Sequence, residues 1–494
     1  MKLVCAKGYL ILAGLVCSLI LLAACTVGPH YSRPVTPAPP AYKEVLPGWK
    51  VAQPSDQIAR GKWWKIFGDT ELNQLEDKVT VSNQALKAAL AQFQQARALV
   101  RFDRADLYPT VTAGASGSRA HQSQNRGTAS RISATNFSDI QMPFVGVSYE
   151  PDLFGRVRRV IEAARSNAQA SAADLENVSL SLHADLAADY FQLRALDAEE
   201  HLLNSSVDAF EKALQLTQNR YQGGVSSAVD VAQAQTQLET TRAQAIDVQV
   251  ARAQFEHAIA VLIGEPASSF SIASATWTAT PPSIPVGLPS DLLERRPDIA
   301  AAERRVAAAN AEIGVARAAY FPSLSLSGSG GFESSSITNL LTGPSAFFSA
   351  GASALVTALD VGRRRALSEQ AQAAYDQSAA NYRDNTLRAF QEVEDNLAAL
   401  RILASEADTQ QAAVAAAEHS LALSTNRYKG GVATYLEVTT AQGLALSDER
   451  VAVQILGRRM TASVRLIQAL GGGWNTAELP QGKIPSLSSS NTGQ

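Results

Sequence analysis

The chain contains the stretch Asn219-Arg220-Tyr221-Gln222-Gly223-Gly224-Val225, and 207 residues later the same pattern returns as Asn426-Arg427-Tyr428-Lys429-Gly430-Gly431-Val432. Nine of 17 positions are identical when 219–235 is aligned with 426–442. A period this long is typical of a duplicated domain half rather than of a short solenoid repeat. Glycines commonly end helices, because they adopt the left-handed backbone of a helix C-terminus. We therefore predict that each half of the chain contains a long helix that ends at this turn.

Each half is predicted to contain a helix, a β-hairpin, a long helix, the turn and another helix. Residues 157–221 lack Pro and Gly, and their apolar side chains recur at spacings of three, four and seven, which is typical of coiled-coil packing. Two weakly alternating stretches predict hairpins at about 107–150 and 320–360, with strands long enough to cross a membrane at a tilt. Hydropathy alone is equally compatible with a soluble β-layer, and the helices with a coiled-coil scaffold.

The number of predicted strands bears on the assembly. One chain offers four candidate membrane strands, whereas the smallest membrane barrels have eight. A barrel would therefore be shared, with eight strands from two chains or twelve from three. Eight strands leave an interior filled by side chains, and larger barrels can leave a channel. A conduit made of this chain therefore favours three copies.

The first residues have the composition of an export signal. Lys2 and Lys7 precede the apolar stretch 10–22, and Leu22-Ala23-Ala24-Cys25 follows. These residues resemble a bacterial lipobox, which implies a lipid on Cys25 and sorting to the outer membrane. An uncleaved membrane anchor is the alternative. The Pro-rich stretch 29–54 predicts an extended tether.

The composition argues against several classes of function. Lys and Arg number 43 against 46 Asp and Glu, so the chain lacks the basic footprint of a nucleic-acid-binding protein. The six His and three Cys show no metal-ligand spacing. No Ser elbow, phosphate loop or nucleotide fingerprint is found. We therefore expect no enzyme activity, no metal site and no cofactor other than the covalent lipid.

Three further motifs carry a resemblance to a known family. They are Leu292-Leu293-Glu294-Arg295-Arg296-Pro297-Asp298-Ile299-Ala300-Ala301-Ala302-Glu303, Asp152-Leu153-Phe154-Gly155-Arg156-Val157-Arg158 and Cys25-Thr26-Val27-Gly28-Pro29. With the paired turns, they make the chain similar to the lipoprotein (NodT-type) branch of TolC-family outer membrane factors. The resemblance implies an α+β membrane protein. Its fold would be a trimeric twelve-stranded outer-membrane β-barrel, with four strands per chain, continued by an antiparallel α-helical coiled-coil barrel in the periplasm.

The repeat and the resemblance together divide the chain into six parts. These are a signal peptide (1–24), a lipid-anchored extended segment (25–66), a first repeat (67–264), an equatorial linker (265–290), a second repeat (291–472) and a C-terminal tail (473–494).

The resemblance implies the outer-membrane channel of a tripartite efflux pump. Such a trimer passively exports small molecules delivered by a resistance-nodulation-division pump of the inner membrane through a periplasmic adaptor. It would contact outer-membrane lipid and no nucleic acid. The alternatives are the outer-membrane duct of an ATP-driven protein or peptide secretion system and a lipid-anchored coiled-coil scaffold.

Three groups of residues are candidate sites. The resemblance places the adaptor contact at the periplasmic tips, formed by Arg220, Tyr221, Gly223, Gly224, Val225, Arg427, Tyr428, Gly430, Gly431 and Val432. Asp230 and Glu437 follow the turns as candidate gate acids, and Tyr435 is a candidate obstruction of the lumen. Either acid could instead serve only the helix dipole. A basic cluster at the membrane interface comprises Arg156, Arg158, Arg159, Arg363, Arg364 and Arg365, with anionic lipid or inter-subunit carboxylates as its partners.

Overall fold

The computed structural model describes residues 26–36, 38–44, 62–121, 136–277, 279–284 and 292–473. Cys25 and the predicted signal lie outside these residues. The longer helices of the described chain are α1 (Thr70–Ser82), α2 (Gln84–Ala105), α3 (Arg156–Gln222), α4 (Ala228–Leu262), α5 (Pro297–Ala318), α6 (Arg363–Lys429) and α7 (Tyr435–Ala469). The strands are β1 (Thr110–His121), β2 (Asn136–Tyr149), β3 (Ser323–Ser334) and β4 (Ala346–Leu355).

The chain forms two compact units, which share the long helices. The sheet unit contains the residues up to Pro34, Phe93–Ser171 and Ala302–Tyr382. The helical unit contains Val35–Gln92, Ala172–Ala301 and the residues from Arg383 onward.

The four strands of the sheet unit form one antiparallel sheet in the order β1-β2-β3-β4. Bulges shift the register between Gly114 and Ser116 in β1 and between Gln141 and Phe144 in β2. Among the described strands, β1 pairs only with β2 and β4 pairs only with β3. Each outer strand therefore has one edge whose backbone groups meet no described strand, which is the arrangement that invites pairing with another chain.

The first helical stretch is divided in two at Asn83. The backbone of this residue is extended, with φ −60° and ψ 128°, and it ends α1. Its side-chain oxygen accepts a hydrogen bond from the backbone N–H of Leu86 at 2.9 Å, which caps the start of α2. Its amide nitrogen donates to the carbonyl of Leu262 at 2.7 Å, so the break also joins α1 to the end of α4.

An apolar cluster joins the long helices of the helical unit. Leu203 and Phe210 of α3 pack with Leu238 and Val248 of α4 and with Leu446 of α7, and all five side chains are buried. Burying a side chain of this size contributes about 1.5–3 kcal/mol relative to leaving it in water. Because such pairs repeat along α3, the helices are held side by side as the spacing of apolar residues predicts.

The buried Asp197 joins two arginines in the same unit, the buried Arg194 and the partly buried Arg252. Its carboxylate accepts from Arg194 Nη1 at 2.6 Å and from Arg252 Nε at 2.7 Å. Arg194 also donates to the carbonyl of Ala273 at 2.8 Å, and Arg252 donates to that of Ile272 at 2.7 Å. The network therefore fixes the segment that follows α4 against α3 and α4.

A second buried pair holds α1 against α3. His183 Nδ1 lies 2.5 Å from Glu76 Oε2, and both side chains are buried. The ring of Trp64 stacks on His183 with centroids 4.4 Å apart, and Thr80 Oγ1 lies 3.5 Å from the other ring nitrogen. Burial raises the pKa of Glu76 and lowers that of His183 to about 4. Burial therefore favours the neutral form of both groups, in which a protonated Glu76 carboxyl group donates a hydrogen bond to the His183 ring.

Candidate functional site

The two repeated turns have the same backbone structure. Gly224 and Gly431 lie in the left-handed region, with φ of 72° and 76°. In each turn the valine N–H donates to an arginine carbonyl five residues earlier, at 2.9 Å for Val225 and 3.0 Å for Val432. These bonds satisfy carbonyls that the helix end would otherwise leave without a partner. The glycines therefore act as the sequence suggests, as C-terminal caps of α3 and α6.

The side chains of the two turns differ although their sequences match. Arg220 Cζ lies 4.7 Å from the ring centroid of Tyr428, and Arg220 Nη1 donates to the carbonyl of Lys429 at 3.2 Å. The first turn therefore holds the second by a cation–π contact and a hydrogen bond. Tyr428 is only 4% exposed, whereas the equivalent Tyr221 is 50% exposed. The apolar side chains left at the surface are those of Tyr221, Val225 and Val432.

Asp230 caps its own helix. Its Oδ2 accepts from the N–H of Ser227 at 3.0 Å and from the hydroxyl of Ser226 at 2.7 Å, while its N–H donates to Ser227 Oγ at 3.2 Å. Partial burial alone would raise the pKa of Asp230, but the hydrogen bonds from Ser226 and Ser227 outweigh it and lower the pKa. Asp230 is therefore an ionised carboxylate engaged within its own turn.

Glu437 lies at the equivalent position after the second turn, and its surroundings are more open. Its side chain is exposed, and Oε2 lies 3.7 Å from Arg427 Nη1. An exposed pair at this distance is weak. Of the two candidate gate acids, Glu437 is thus the one whose charge is available to solvent.

Tyr435 is buried beneath the second turn. It is 2% exposed, and its ring meets that of Tyr428 edge-to-face at 5.2 Å. Ala234 and Val438 complete this cluster, and burial raises the pKa of Tyr435 to about 12. A ring enclosed in this way supports the turn, so the structure does not support the prediction that Tyr435 obstructs a lumen.

The arginines that begin α3 are paired within the chain. The backbone N–H and Nε of Arg158 donate to Asp152 Oδ2 at 2.9 and 3.1 Å. Arg156 Nη2 donates to Glu150 Oε2 at 3.0 Å. Cations at a helix N-terminus oppose its dipole, and carboxylates placed just before the helix offset them. Carboxylates of the same chain, Glu150 and Asp152, therefore pair with Arg156 and Arg158, and further contacts of this cluster with lipid or with another subunit stay a prediction.

The second junction repeats this arrangement. Asp360 Oδ2 accepts from the N–H and the Nε of Arg364, at 3.2 and 2.6 Å. Arg365 pairs with Glu369 at 2.9 Å, one helical turn further, and both side chains are exposed. Arg363 is also exposed. The location of this basic cluster at a membrane interface stays a prediction.

The segment after Cys25 is bound along the sheet unit, which the sequence did not indicate. Val27 N–H donates to the carbonyl of Phe154 at 3.1 Å, and the buried Arg159 returns a bond from Nε to the carbonyl of Val27 at 3.2 Å. Asn310 Nδ2 donates to the carbonyl of Pro29 at 3.2 Å. The sequence predicted a tether, whereas this part of it is seated by buried polar side chains.

Glycines make room for this segment. A Cβ on Gly28 would lie 2.5 Å from the Cα of Gly314, and one on Gly155 would lie 3.0 Å from the Cα of Thr26. Beyond them, the hydroxyl of Tyr31 donates to Glu303. Two features of the sequence could have indicated this binding: the Gly28-Pro29 pair and a glycine, Gly314, inside a helix. Both glycines are explained by the close packing of the segment against that helix.

The sheet has one hydroxyl face and one apolar face, and both are largely exposed in the single chain. Two rows of directly opposed residues on the hydroxyl face are Thr110, Ser148, Ser327, Gly351 and Thr112, Gly146, Ser329, Ser349. The alternate rows on the apolar face are Val111, Val147, Gly328, Ala350 and Ala113, Val145, Gly330, Phe348. Hydroxyls meet across strands at 2.8 Å between Ser329 and Ser349. A sheet of this kind is suited to separate water from an apolar environment.

Two negative findings apply to the described residues. They contain no group of three or more His, Cys, Asp or Glu side chains that could hold a metal ion. Their helices also include none that is long and apolar enough to cross a membrane.

The chain matches the protein-family model "Outer membrane efflux protein" over residues 75–265 and 288–472. It is 33% identical over 472 residues to the toluene efflux pump outer membrane protein TtgC of Pseudomonas putida, covering 94% of this chain and 96% of that protein. It is 28% identical over 463 residues to the cation efflux system protein CusC of Escherichia coli, covering 93% and 98%.

Its structure also resembles that of the outer-membrane channel OprN. The TM-score is 0.84 at 31% identity, covering 91% of this chain and all of that one. This likeness confirms the predicted fold class, that of trimeric outer-membrane channels with four strands per chain and long helices. Its relatives are outer-membrane components of efflux pumps, and the chain belongs to the outer membrane efflux protein family.

Proposed function

We propose that three copies of this chain form a passive duct through the outer membrane, which carries small molecules delivered by an inner-membrane pump and performs no catalysis. The proposal rests on the exposed surfaces of the four-stranded sheet. Its apolar face is unburied in the single chain, and its two outer edges pair with no described strand. Joining β4 of one chain to β1 of the next satisfies both edges, and lipid covers the apolar face.

The proposed duct includes a lipid on Cys25. Thr26, the next residue, packs against Gly155, and Val27 is bonded to Phe154, a few residues after β2 ends. The bound segment would therefore place an acyl chain beside the junction of a membrane strand and a helix. A lipid there would lie at the membrane surface without further extension of the chain.

We place the partner contacts at the repeated turns. Tyr221, Val225 and Val432 are half or more exposed, although they are apolar. Exposed apolar residues grouped at one place are typical of protein contacts. The partner we propose is a periplasmic adaptor that connects the duct to a proton-driven resistance-nodulation-division pump. Relatives named for toluene and for cations support small-molecule export and leave the cargo of this chain open.

The partner is tested by crosslinking from the turns in native membranes. Gln222 and Lys429 are exposed and can carry a photoreactive group. We expect capture of an adaptor and, with it, a proton-driven pump. Capture of an adaptor with an ATP-driven exporter would replace efflux by secretion. A folded, abundant chain that captures no partner would favour the coiled-coil scaffold.

Of the two candidate gate acids, we propose Glu437 as the main one, because its carboxylate is exposed whereas that of Asp230 is bonded within its own turn. In a trimer, this exposed carboxylate and that of Asp230 would each recur three times around the axis, and rings of carboxylates attract cations. Replacing Glu437 by Gln should reduce cation selectivity in a planar bilayer more than replacing Asp230 by Asn. Equal selectivity of both variants and the unmodified protein would exclude a gate at these acids.

The duct itself is tested on the purified protein. We expect a trimer that dissociates on heating and that conducts ions in a planar bilayer. A scaffold would instead remain monomeric or conduct nothing, and its Cys25→Ser variant would be released from the membrane. Conduction by a trimer of the Cys25→Ser variant would show that the strands, rather than the lipid, hold the protein in the bilayer.

A further inference from the structure

A third row of opposed residues crosses the hydroxyl face and differs from the first two. It consists of Gly114, Phe144, Gly331 and Phe347, and we call it the aromatic row. The hydroxyl rows lie on one side of it. On its other side Glu333, two residues beyond Gly331 in β3, shares the face and accepts a hydrogen bond from Gln141 Nε2 at 3.2 Å. The aromatic row therefore places two phenyl rings per chain on a face that is otherwise polar.

The far end of the Phe144 ring lies against Gly114 of β1. A Cβ on Gly114 would lie 2.8 Å from the Cζ of Phe144, so only glycine permits this position of the ring. The neighbouring Gly146 shares this face, since a Cβ there would lie 3.0 Å from Thr112 Oγ1. Phe144 and Phe347 are each partly exposed in the single chain. The Phe144 ring is thus held against Gly114, and neither ring is enclosed by the sheet unit.

The opposite face shows why this position is unusual. Phe348 follows Phe347 directly, lies on the apolar face and is 89% exposed. Its exposure is explained by lipid. Lipid does not explain Phe144 and Phe347, because the hydroxyl rows on their side face water in the proposed duct. An apolar ring exposed to water is costly, and it is typical of a surface that meets an apolar ligand.

We propose that the aromatic row is a contact site for the planar, apolar parts of cargo during its exit. This inference rests on the proposed duct and adds a substrate class to it. Six phenyl rings per trimer would form an apolar band in a polar wall, between the hydroxyl rows and Glu333. Aromatic rings bind flat, apolar molecules by stacking or edge contacts. Binding at a single band stays weak enough for release, which conduction requires.

The first test locates the row. Cys5 and Cys17 lie in the predicted signal and the proposed lipid blocks Cys25, so introduced cysteines can be read singly. A charged thiol reagent that does not cross membranes should label Phe347→Cys and lower the conductance of the trimer. Phe348→Cys is the matched control: its side chain faces lipid in the proposed duct, so the charged reagent should neither label it nor change the conductance. Reaction at position 348 with none at 347 would reverse the two faces and overturn the proposal.

The second test measures binding. Naphthalene-2-sulfonate added to the bilayer should reduce the trimer's conductance, whereas methanesulfonate, with the same charge and no ring, should not. Phe347→Ser should raise the concentration for half-maximal block by about 2- to 10-fold, which is the factor expected for one aromatic contact. Phe348→Ser should leave it unchanged. Phe347→Leu, which keeps an apolar side chain without a ring, should lie between them.

The outcomes separate the two proposals. An unmodified protein that conducts nothing contradicts the duct. A conducting protein whose block is the same in Phe347→Ser and Phe348→Ser contradicts the aromatic contact site and leaves the duct standing. A purely structural role for Phe347 would change the yield of trimer but not the difference between the two sulfonates.

Discussion

Ser227 and Thr434 occupy equivalent positions before α4 and α7, but only Ser227 caps its helix with its side chain. Ser227 Oγ accepts from the N–H of Asp230, and the Asp230 carboxylate accepts in return from the N–H of Ser227. Thr434 makes no such bond. Ser227→Ala should therefore destabilise the start of α4 by about 1 kcal/mol. Hydrogen exchange of the first backbone amides of α4 measures this change.

Thr434→Ala provides the control for that substitution. It removes a hydroxyl of similar size at the equivalent position, where no cap is lost, so exchange at the start of α7 should change little. Equal acceleration at both helices would show that the capping box contributes nothing at Ser227.

At the two turns, the sequence predicts the backbone conformation of the glycines but not the burial of the tyrosines. The Gly-Gly pairs predict the turn, because a left-handed backbone is a local requirement. The seven residues of the two turns differ only at Gln222 and Lys429, so the turn motif alone cannot predict that one tyrosine ring is exposed and the other buried. That difference arises because Arg220 of the other turn contacts Tyr428, and because Tyr435, which corresponds to Ala228 in the first copy, packs against it.

At the scale of elements, Glu76 makes the attachment of α1 to α3 dependent on pH. Burial raises its pKa above the ordinary value, so the folded protein retains a proton that the unfolded chain releases. This contribution is complete below pH about 4.5 and is lost as the pH rises through the raised pKa. Glu76→Gln should therefore raise the dissociation temperature of the trimer at pH 8 more than at pH 5.

Asp77→Asn is the matched control, because the pKa of Asp77 is lowered whereas that of its neighbour Glu76 is raised. Lys62 lies 2.5 Å from Asp77 and lowers its pKa, so the charged form is the favoured one. Asp77→Asn should lower stability slightly at pH 8 and have less effect at low pH. A Glu76→Gln variant that loses stability at pH 8 would show that the pair is an ion pair at that pH.

The periodicity of apolar residues predicts the long helices, but it does not predict the contacts that depend on tertiary structure. The absence of Pro and Gly predicts α3 and α6 closely, since an unbroken apolar stripe needs no distant partner to be recognised. The break at Asn83 and the seating of Val27 depend on tertiary bonds to Leu262, Phe154 and Arg159. Side chains that bind distant backbone carbonyls leave no local pattern, so the sequence predicts only an extended segment at 25–66 and does not indicate where it binds.

For the molecule as a whole, the open edges of the sheet determine how copies of the chain join. The strands alternate in direction from β1 to β4, so β4 of one chain would meet β1 of the next in antiparallel pairing. Directly opposed residues of antiparallel strands have Cα atoms about 4.5–5.5 Å apart, which is within the range that a disulfide can bridge. Cysteines on these two edges can therefore reveal the join directly.

The expected result is a covalent trimer. Thr112→Cys in β1, combined in turn with cysteines at Phe347, Ser349, Gly351 and Ser353 of β4, should give one position at which oxidation links the chains into dimers and trimers on a denaturing gel. Only one or two positions should react, because a register fixes which residues face each other. Thr112→Cys with Phe348→Cys is the control, since Phe348 lies on the opposite face from Thr112. Monomers at every position would mean that the edges of β1 and β4 do not meet, and equal reaction at all positions would mean that they meet without a fixed register.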